Sequence, residues 1–82
     1  MKAFSRALDT ALSEMGWSRS ELARASKKST STTAEWFSDT YRPALKLLET
    51  LRALLPIEQY TKVLIAHIMD EIPPARRRPF PL

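Results

Sequence analysis

The sequence contains no cysteine, one glycine and one histidine, and no apolar run near the roughly 20 residues that cross a bilayer. Without cysteine, disulfides and thiolate chemistry are excluded, and a reducing compartment is the expected setting. The single histidine, His67, has no second histidine or cysteine with which to form an ordinary zinc site or a nucleophilic pair. One glycine excludes a glycine-rich phosphate loop. We therefore expect no catalytic residues, no metal and no cofactor.

The length of 82 residues allows one domain, near the size at which a single core is only marginally sufficient. Association with a second copy would add buried surface. The N-terminus is amphipathic and mixed in charge, unlike a signal peptide. We expect a protein with no membrane partner, located in the cytoplasm of a bacterial or phage-infected cell.

Helical periodicity and the lack of apolar alternation predict an all-α fold, a compact domain of five helices over residues 1–72. Its helices are predicted at 3–15, 18–26 and 29–37, from Pro43 onward, and at 57–72. Gly16 is suited to end the first helix, and Ser18 with Glu21 forms a capping box at the start of the second. The inner face of the fourth helix is predicted to hold Leu45, Leu48, Leu51 and Leu55. Residues 73–82 are predicted to form a flexible tail rich in proline and arginine.

One stretch has a specific spacing. Ser-Arg-Ser-Glu-Leu-Ala at 18–23 is followed thirteen residues after Ala23 by Trp36, then seven residues later by Pro43 and the leucine-rich fourth helix. This pattern resembles the Cro and phage-repressor family of helix-turn-helix proteins, the XRE type, over residues 3–55. The resemblance implies a lambda-repressor-like helix-turn-helix in helices 2 and 3. It also implies a sequence-specific transcriptional regulator of phage or mobile-element type, a repressor, with double-stranded DNA as partner.

The turn between helices 2 and 3 departs from the family's usual Leu-Gly-Val, since this chain has Ser26-Lys27-Lys28. Lys27 would adopt a positive φ only at an energetic cost. Thr33 stands where the family usually has isoleucine or valine, so its hydroxyl and that of Ser26 would need hydrogen-bond partners.

The resemblance also assigns the DNA contacts. It places base contacts on the third helix, at Ser29, Thr30, Ser31 and Glu35. Hydroxyls can contact any base, and a glutamate can accept from cytosine N4. Phosphate contacts are expected from Arg19, Lys27, Lys28, Ser38, Tyr41 and Arg42.

The fifth predicted helix has more apolar residues than one face requires. A helix buried on two sides of a small bundle would explain this. A homodimer interface would also explain it, and helix-turn-helix proteins commonly bind paired half-sites. We expect the second arrangement, with the interface at Leu64, Ile65, Ile68 and Met69.

The net charge of +4 is concentrated in two places. Residues 18–42 contain five basic and three acidic side chains, and Arg76, Arg77 and Arg78 lie in the tail. Such clusters suit a polyanion, although a solvated surface and a solubilising tail would have the same composition.

Two other functions fit the sequence. One is a helix-turn-helix scaffold that binds a protein, as an antitoxin or an inhibitor of a host protein, and the other is a nonspecific nucleic-acid binder.

Overall fold

The computed structural model describes residues 2–38 and 40–72. Asp39 and the predicted tail, 73–82 with its three arginines, lie outside the described residues. The described part of the chain is all-α, with five helices and no strand. The helices are α1 (Ala3–Met15), α2 (Arg19–Ser26), α3 (Thr30–Glu35), α4 (Leu45–Leu54) and α5 (Ile57–Glu71).

The predicted start of α2 and end of α1 are confirmed. The Ser18 hydroxyl accepts from the Glu21 amide at 3.1 Å, and a Glu21 carboxylate oxygen accepts from the Ser18 amide at 3.3 Å. Gly16 ends α1 with a φ of 72°. The amides of Gly16 and Trp17 donate to carbonyls of the last turn of α1, which is a Schellman motif.

Helices α1 and α5 form the most extensive pair in the bundle. They run antiparallel, because Ala3 at the start of α1 meets Asp70 near the end of α5, whereas Glu14 near the end of α1 pairs with Lys62. The buried apolar side chains form one cluster that draws on α1, α2, α4, α5 and the segment after α3. The cluster contains Phe4, Leu8, Ala11, Leu12, Leu22, Trp36, Phe37, Leu47, Leu51, Leu55 and Val63.

The first turn of α1 is capped by a side chain near the end of α5. Lys2, at the N-cap position, makes no side-chain capping bond. Instead, the two carboxylate oxygens of Asp70 accept from the amides of Ala3 at 3.1 Å and Phe4 at 2.9 Å. A carboxylate at a helix start accepts from amides that have no partner within the helix, and it interacts favourably with the positive end of the helix dipole.

The prediction for α4 is wrong at its start. The helix begins at Leu45 with Ala44 as its cap, so Pro43 precedes the helix. Leu45 is 71% exposed, and the buried side is formed by Leu47, Leu51 and Leu55, with Leu48 only partly buried. Leucine is so frequent in this helix that more than one face reads as apolar. Two overlapping stripes therefore meet the helical spacing, and the stripe that contains Leu47 is the buried one.

Helix α3 is shorter than the predicted 29–37. The amides of Trp36, Phe37 and Ser38 each bond to the carbonyl three residues earlier, so the chain tightens into turns after Glu35. Trp36 is 4% exposed and belongs to the buried apolar cluster. The fifth helix ends at Glu71, with Ile72 as its C-cap.

Candidate nucleic-acid interface

Helices α2 and α3 are joined by a turn of three residues, Lys27 to Ser29. Lys27 has φ 59° and ψ 35°, the left-handed conformation that a glycine adopts more easily. The amides of Lys27 and Lys28 donate to the carbonyls of Arg24 and Ala23, so α2 ends in the same Schellman motif as α1. The turn thus keeps a glycine-type geometry at the cost of strain in Lys27.

The two hydroxyls predicted to need partners have them within their own helices. Thr33 is 1% exposed, and its hydroxyl donates to the Thr30 carbonyl at 3.0 Å. The Ser26 hydroxyl donates to the Ala23 carbonyl at 3.2 Å. Because neither hydroxyl is left unsatisfied, α2 and α3 can pack together with polar residues at these positions.

The outward side of α3 contains the four side chains that the sequence assigned to base contacts. All are exposed, and they are Ser29, Thr30, Ser31 and Glu35. Ser29 also caps the helix, because its hydroxyl accepts from the Thr32 amide at 3.1 Å and donates to the Thr32 hydroxyl at 2.9 Å. A base contact by Ser29 would compete with these bonds. Thr30 and Ser31 combine exposure with hydroxyls that form no bond with other side chains in the described residues.

Ala34 is a fifth member of this face that the sequence reasoning missed. It is exposed, one helical turn beyond Thr30 and Ser31 and next to Glu35. Helical spacing places residues four apart on one side, and that rule would have found it. A small methyl lets a duplex approach closely and can contact the thymine methyl group.

Lys27 and Lys28 stand beside this face, at the end from which α3 starts. Both are exposed, and neither side chain forms an ion pair or hydrogen bond within residues 2–38 and 40–72. Free ammonium groups at the edge of a face rich in hydroxyls are suited to contact phosphates on either side of a groove.

The two arginines assigned to phosphate contacts already have carboxylate partners. Arg19 lies 3.5 Å from Asp9, and its guanidinium carbon is 3.9 Å from the centre of the Phe37 ring. Arg42 lies 2.6 Å from Glu71 at the end of α5. A phosphate would have to displace or share these carboxylates, so the arginines are less available than the two lysines.

The remaining two assigned residues lie in the segment after α3. The Ser38 hydroxyl is 2.9 Å from that of Thr40. Tyr41 is half-buried, and burial followed by the nearby Glu35 carboxylate raises the pKa of its phenol above the usual 10.0, against a smaller lowering by a hydrogen bond with Trp36. Tyr41 is therefore a neutral donor at physiological pH.

The residues assigned to a dimer interface lie on α5, away from the buried Val63 and Ala66. Ile65, Ile68 and Met69 are 52%, 51% and 46% exposed, whereas Leu64 is half-buried. Ile57, which the sequence reasoning did not include, is 72% exposed near the start of the same helix. Helix α5 thus has an inner apolar side in the core and an outer apolar side in contact with solvent.

His67 belongs to the packing between α1 and α5. Its ring meets Phe4 edge to face, with 6.1 Å between the ring centres, and its buried Nδ1 has no hydrogen-bond partner among the described residues.

Among the described residues, no three acidic, histidine or cysteine side chains are placed to hold a metal ion. No helix in this part of the chain combines the length and apolarity needed to cross a bilayer.

Comparison with protein families, curated proteins and solved structures finds no match to this chain. The function is therefore argued from the geometry of α2, α3 and α5.

Proposed function

We propose that this protein is a sequence-specific DNA-binding transcriptional regulator, a repressor of phage or mobile-element type, and not an enzyme. It acts as a homodimer in the cytoplasm. The observation that carries the proposal is the outward face of α3, where exposed hydroxyls and the Ala34 methyl lie beside the ammonium groups of Lys27 and Lys28, which form no ion pair in the part of the chain that the structure describes.

The proposed complex places α3 in the major groove. Thr30 and Ser31 contact base edges through their hydroxyls, and Glu35 accepts from a cytosine N4 amino group. Lys27 and Lys28 bind phosphates at the groove edge and fix the register of the helix. Because α3 offers no arginine, asparagine or glutamine for a bidentate base contact, part of the sequence preference comes from the shape of the duplex.

The outer apolar side of α5 supports the dimer. Three large side chains there, Ile65, Ile68 and Met69, are about half exposed and succeed one another at helical spacing. In a two-fold pair each would meet the same patch of the second copy. Such a pair can present two α3 helices roughly 34 Å apart, which matches two half-sites of an inverted repeat.

A salt titration tests the proposal. The protein is titrated onto labelled duplexes from its own genomic neighbourhood and onto scrambled versions, and the affinity is followed by fluorescence anisotropy at several salt concentrations. Lys27→Gln and Lys28→Gln should each lower the slope of log affinity against log salt by about one, on every duplex. Lys62→Gln is the matched control, since it also removes one positive charge, from an exposed lysine of α5 that is paired with Glu14 and is not among the proposed DNA contacts.

Two results would count against the proposal. One is a folded wild-type protein that prefers no duplex over its scrambled version. The other is a salt slope that responds equally to Lys62→Gln and to the two turn variants.

A second function, binding of a protein by the same scaffold, is favoured by one observation. The face of α3 has a carboxylate, Glu35, and no cation, and the nearby Arg19 and Arg42 are held by internal carboxylates. Considered without the flanking Lys27 and Lys28, such a face is complementary to a basic protein surface. If this function is correct, the Glu35→Gln variant should lose a protein partner, whereas DNA binding by the wild type should be absent at low salt.

A further inference from the structure

A groove of about 390 Å³ lies between the α2–α3 turn and the start of α4. Its volume falls in the range of pockets that hold small ligands. The groove is lined by residues of α2, α3, α4 and the connecting segments, among them Lys28, Thr32, Tyr41, Lys46, Leu47 and Thr50. The proposed DNA contacts include Lys28 and Tyr41, but not Thr32, Lys46, Leu47 or Thr50.

The ionised side chains that the structure describes in this lining are both positive. Among residues 2–38 and 40–72, Lys28 and Lys46 are the only ionised groups that line the groove, and neither side chain has an ion-pair partner there. Three other surface grooves each place a glutamate beside their cations: Glu14, Glu58 and Glu35. The groove at Lys28 and Lys46 is therefore suited to an anion where the others are not.

The rest of the lining combines apolar side chains that are anchored in the core with hydroxyl groups. Trp36 and Leu47 are almost fully buried, so the part of each that faces the groove is held in place by the core. The Tyr41 ring stands at its edge. The Thr32 hydroxyl accepts from Ser29, which leaves its own proton free to be donated. A ligand with both a flat apolar part and an anionic group would match this combination.

We propose that the groove binds a small phosphate monoester that has a flat ring, of which a mononucleotide is the simplest representative. A phosphate monoester has a charge of about −1.5 to −2 at neutral pH, which matches the two lysines. Its oxygens accept from the ammonium groups and from the Thr32 hydroxyl, and the ring packs against Trp36, Tyr41 and Leu47.

Binding in this groove would regulate the proposed DNA contact. Lys28 belongs both to the groove and to the phosphate contacts of the α2–α3 turn. A ligand that holds the Lys28 ammonium group removes it from the DNA backbone, so the two ligands compete. This second step rests on the proposed function, whereas occupancy of the groove does not.

The first experiment measures binding without DNA. Isotope-labelled full-length protein is titrated with AMP, and with inorganic phosphate and adenosine separately, while amide chemical shifts are recorded. AMP should shift the amides of Thr32, Leu47 and Thr50, and it should bind more tightly than phosphate or adenosine alone. The Lys28→Gln, Lys46→Gln double variant should weaken AMP binding about tenfold, since exposed charge pairs contribute about two- to fivefold each. Lys62→Gln should leave it unchanged.

The second experiment measures competition. AMP should release labelled duplex from the wild type, and the single variant Lys46→Gln should retain DNA binding but respond less to AMP. If the wild type binds no DNA, the first experiment still decides whether the groove is occupied.

Three outcomes would overturn the proposal. The first is an unchanged spectrum at about 10 mM AMP, where a millimolar site would be nearly filled. The second is equal shifts and affinity with inorganic phosphate, which would mean an adventitious anion only. The third is a wild-type protein that shows no response to AMP together with a salt slope for DNA that falls in Lys46→Gln, which would assign the groove to the DNA backbone.

Discussion

Replacing Asp70 with alanine removes the acceptor for two main-chain amides at the start of α1. The Asp70 carboxylate accepts from the amides of Ala3 at 3.1 Å and Phe4 at 2.9 Å, and Lys2 supplies no side-chain cap in its place. Loss of a helix cap costs about 1 kcal/mol, and loss of a negative charge at a helix start costs about 0.3–1 kcal/mol. With a second amide left without its acceptor, we expect the free energy of unfolding to fall by about 2 kcal/mol.

Thermal and urea denaturation followed by circular dichroism measure this loss. For a domain of this size, about 2 kcal/mol corresponds to a fall in Tm of roughly 10 °C. Asp70→Asn should lose less than Asp70→Ala, because its amide oxygen can still accept from one main-chain amide while the charge is gone. Glu49→Ala is the matched control, since Glu49 is exposed on α4 and forms no ion pair within residues 2–38 and 40–72.

The reasoning would be refuted by an Asp70→Ala protein whose unfolding free energy lies within about 0.5 kcal/mol of the wild type, the usual range for neutral surface changes. It would also be refuted if Asp70→Asn were no more stable than Asp70→Ala.

Three further changes test other parts of the fold. Lys27→Gly should raise the free energy of unfolding, measured by urea denaturation, by about 0.5–1 kcal/mol, because glycine adopts the φ of 59° without strain. Lys27→Ala keeps the Cβ and should give no such gain. Folding raises the pKa of Tyr41, so the unfolded chain ionises first and the free energy of unfolding should fall as the pH rises above about 10. Between about pH 9 and about pH 11, the Tm of Tyr41→Phe should therefore fall less than the Tm of the wild type. The double variant Ile65→Glu, Met69→Glu should keep its helicity and sediment as a monomer, whereas the wild type should sediment as a dimer at tens of micromolar; a monomeric wild type would contradict the dimer.

Local signals in the sequence predict the fold well where the structure is set by neighbouring residues. Gly16, and the pairing of Ser18 with Glu21, fix helix ends through bonds within one turn of chain. The start of α4 was predicted at Pro43 because proline favours a first turn, but the helix begins at Leu45. Leu45, a predicted core residue, is exposed because leucine recurs so often along α4 that a second stripe, with Leu47 in place of Leu45, meets the helical spacing equally well.

Whether the side chains of the candidate site are free to contact DNA could not be predicted from neighbouring residues alone. Exposure of Thr30 and Ser31 follows from the period of α3. By contrast, Arg42 is paired with Glu71, which lies 29 residues further along the chain on another helix. The resemblance predicts that Arg42 binds a phosphate, but only the packing of α5 against the rest of the domain shows that a carboxylate already holds this arginine.

The bond between Asp70 and the first turn of α1 has a consequence for the order of folding. Its partners lie 66 and 67 residues apart, so it can form only after nearly the whole chain has closed into one loop. Until α5 docks, α1 is a thirteen-residue helix whose N-terminal amides have no side-chain cap, and thirteen residues is a marginal length for a helix in isolation. Helix α1 is therefore among the last helices to become stable, and a chain that stops within α5 should leave α1 frayed as well. This couples α1 and α5 in a single cooperative transition, in which α1 gains its protection from hydrogen exchange only together with α5.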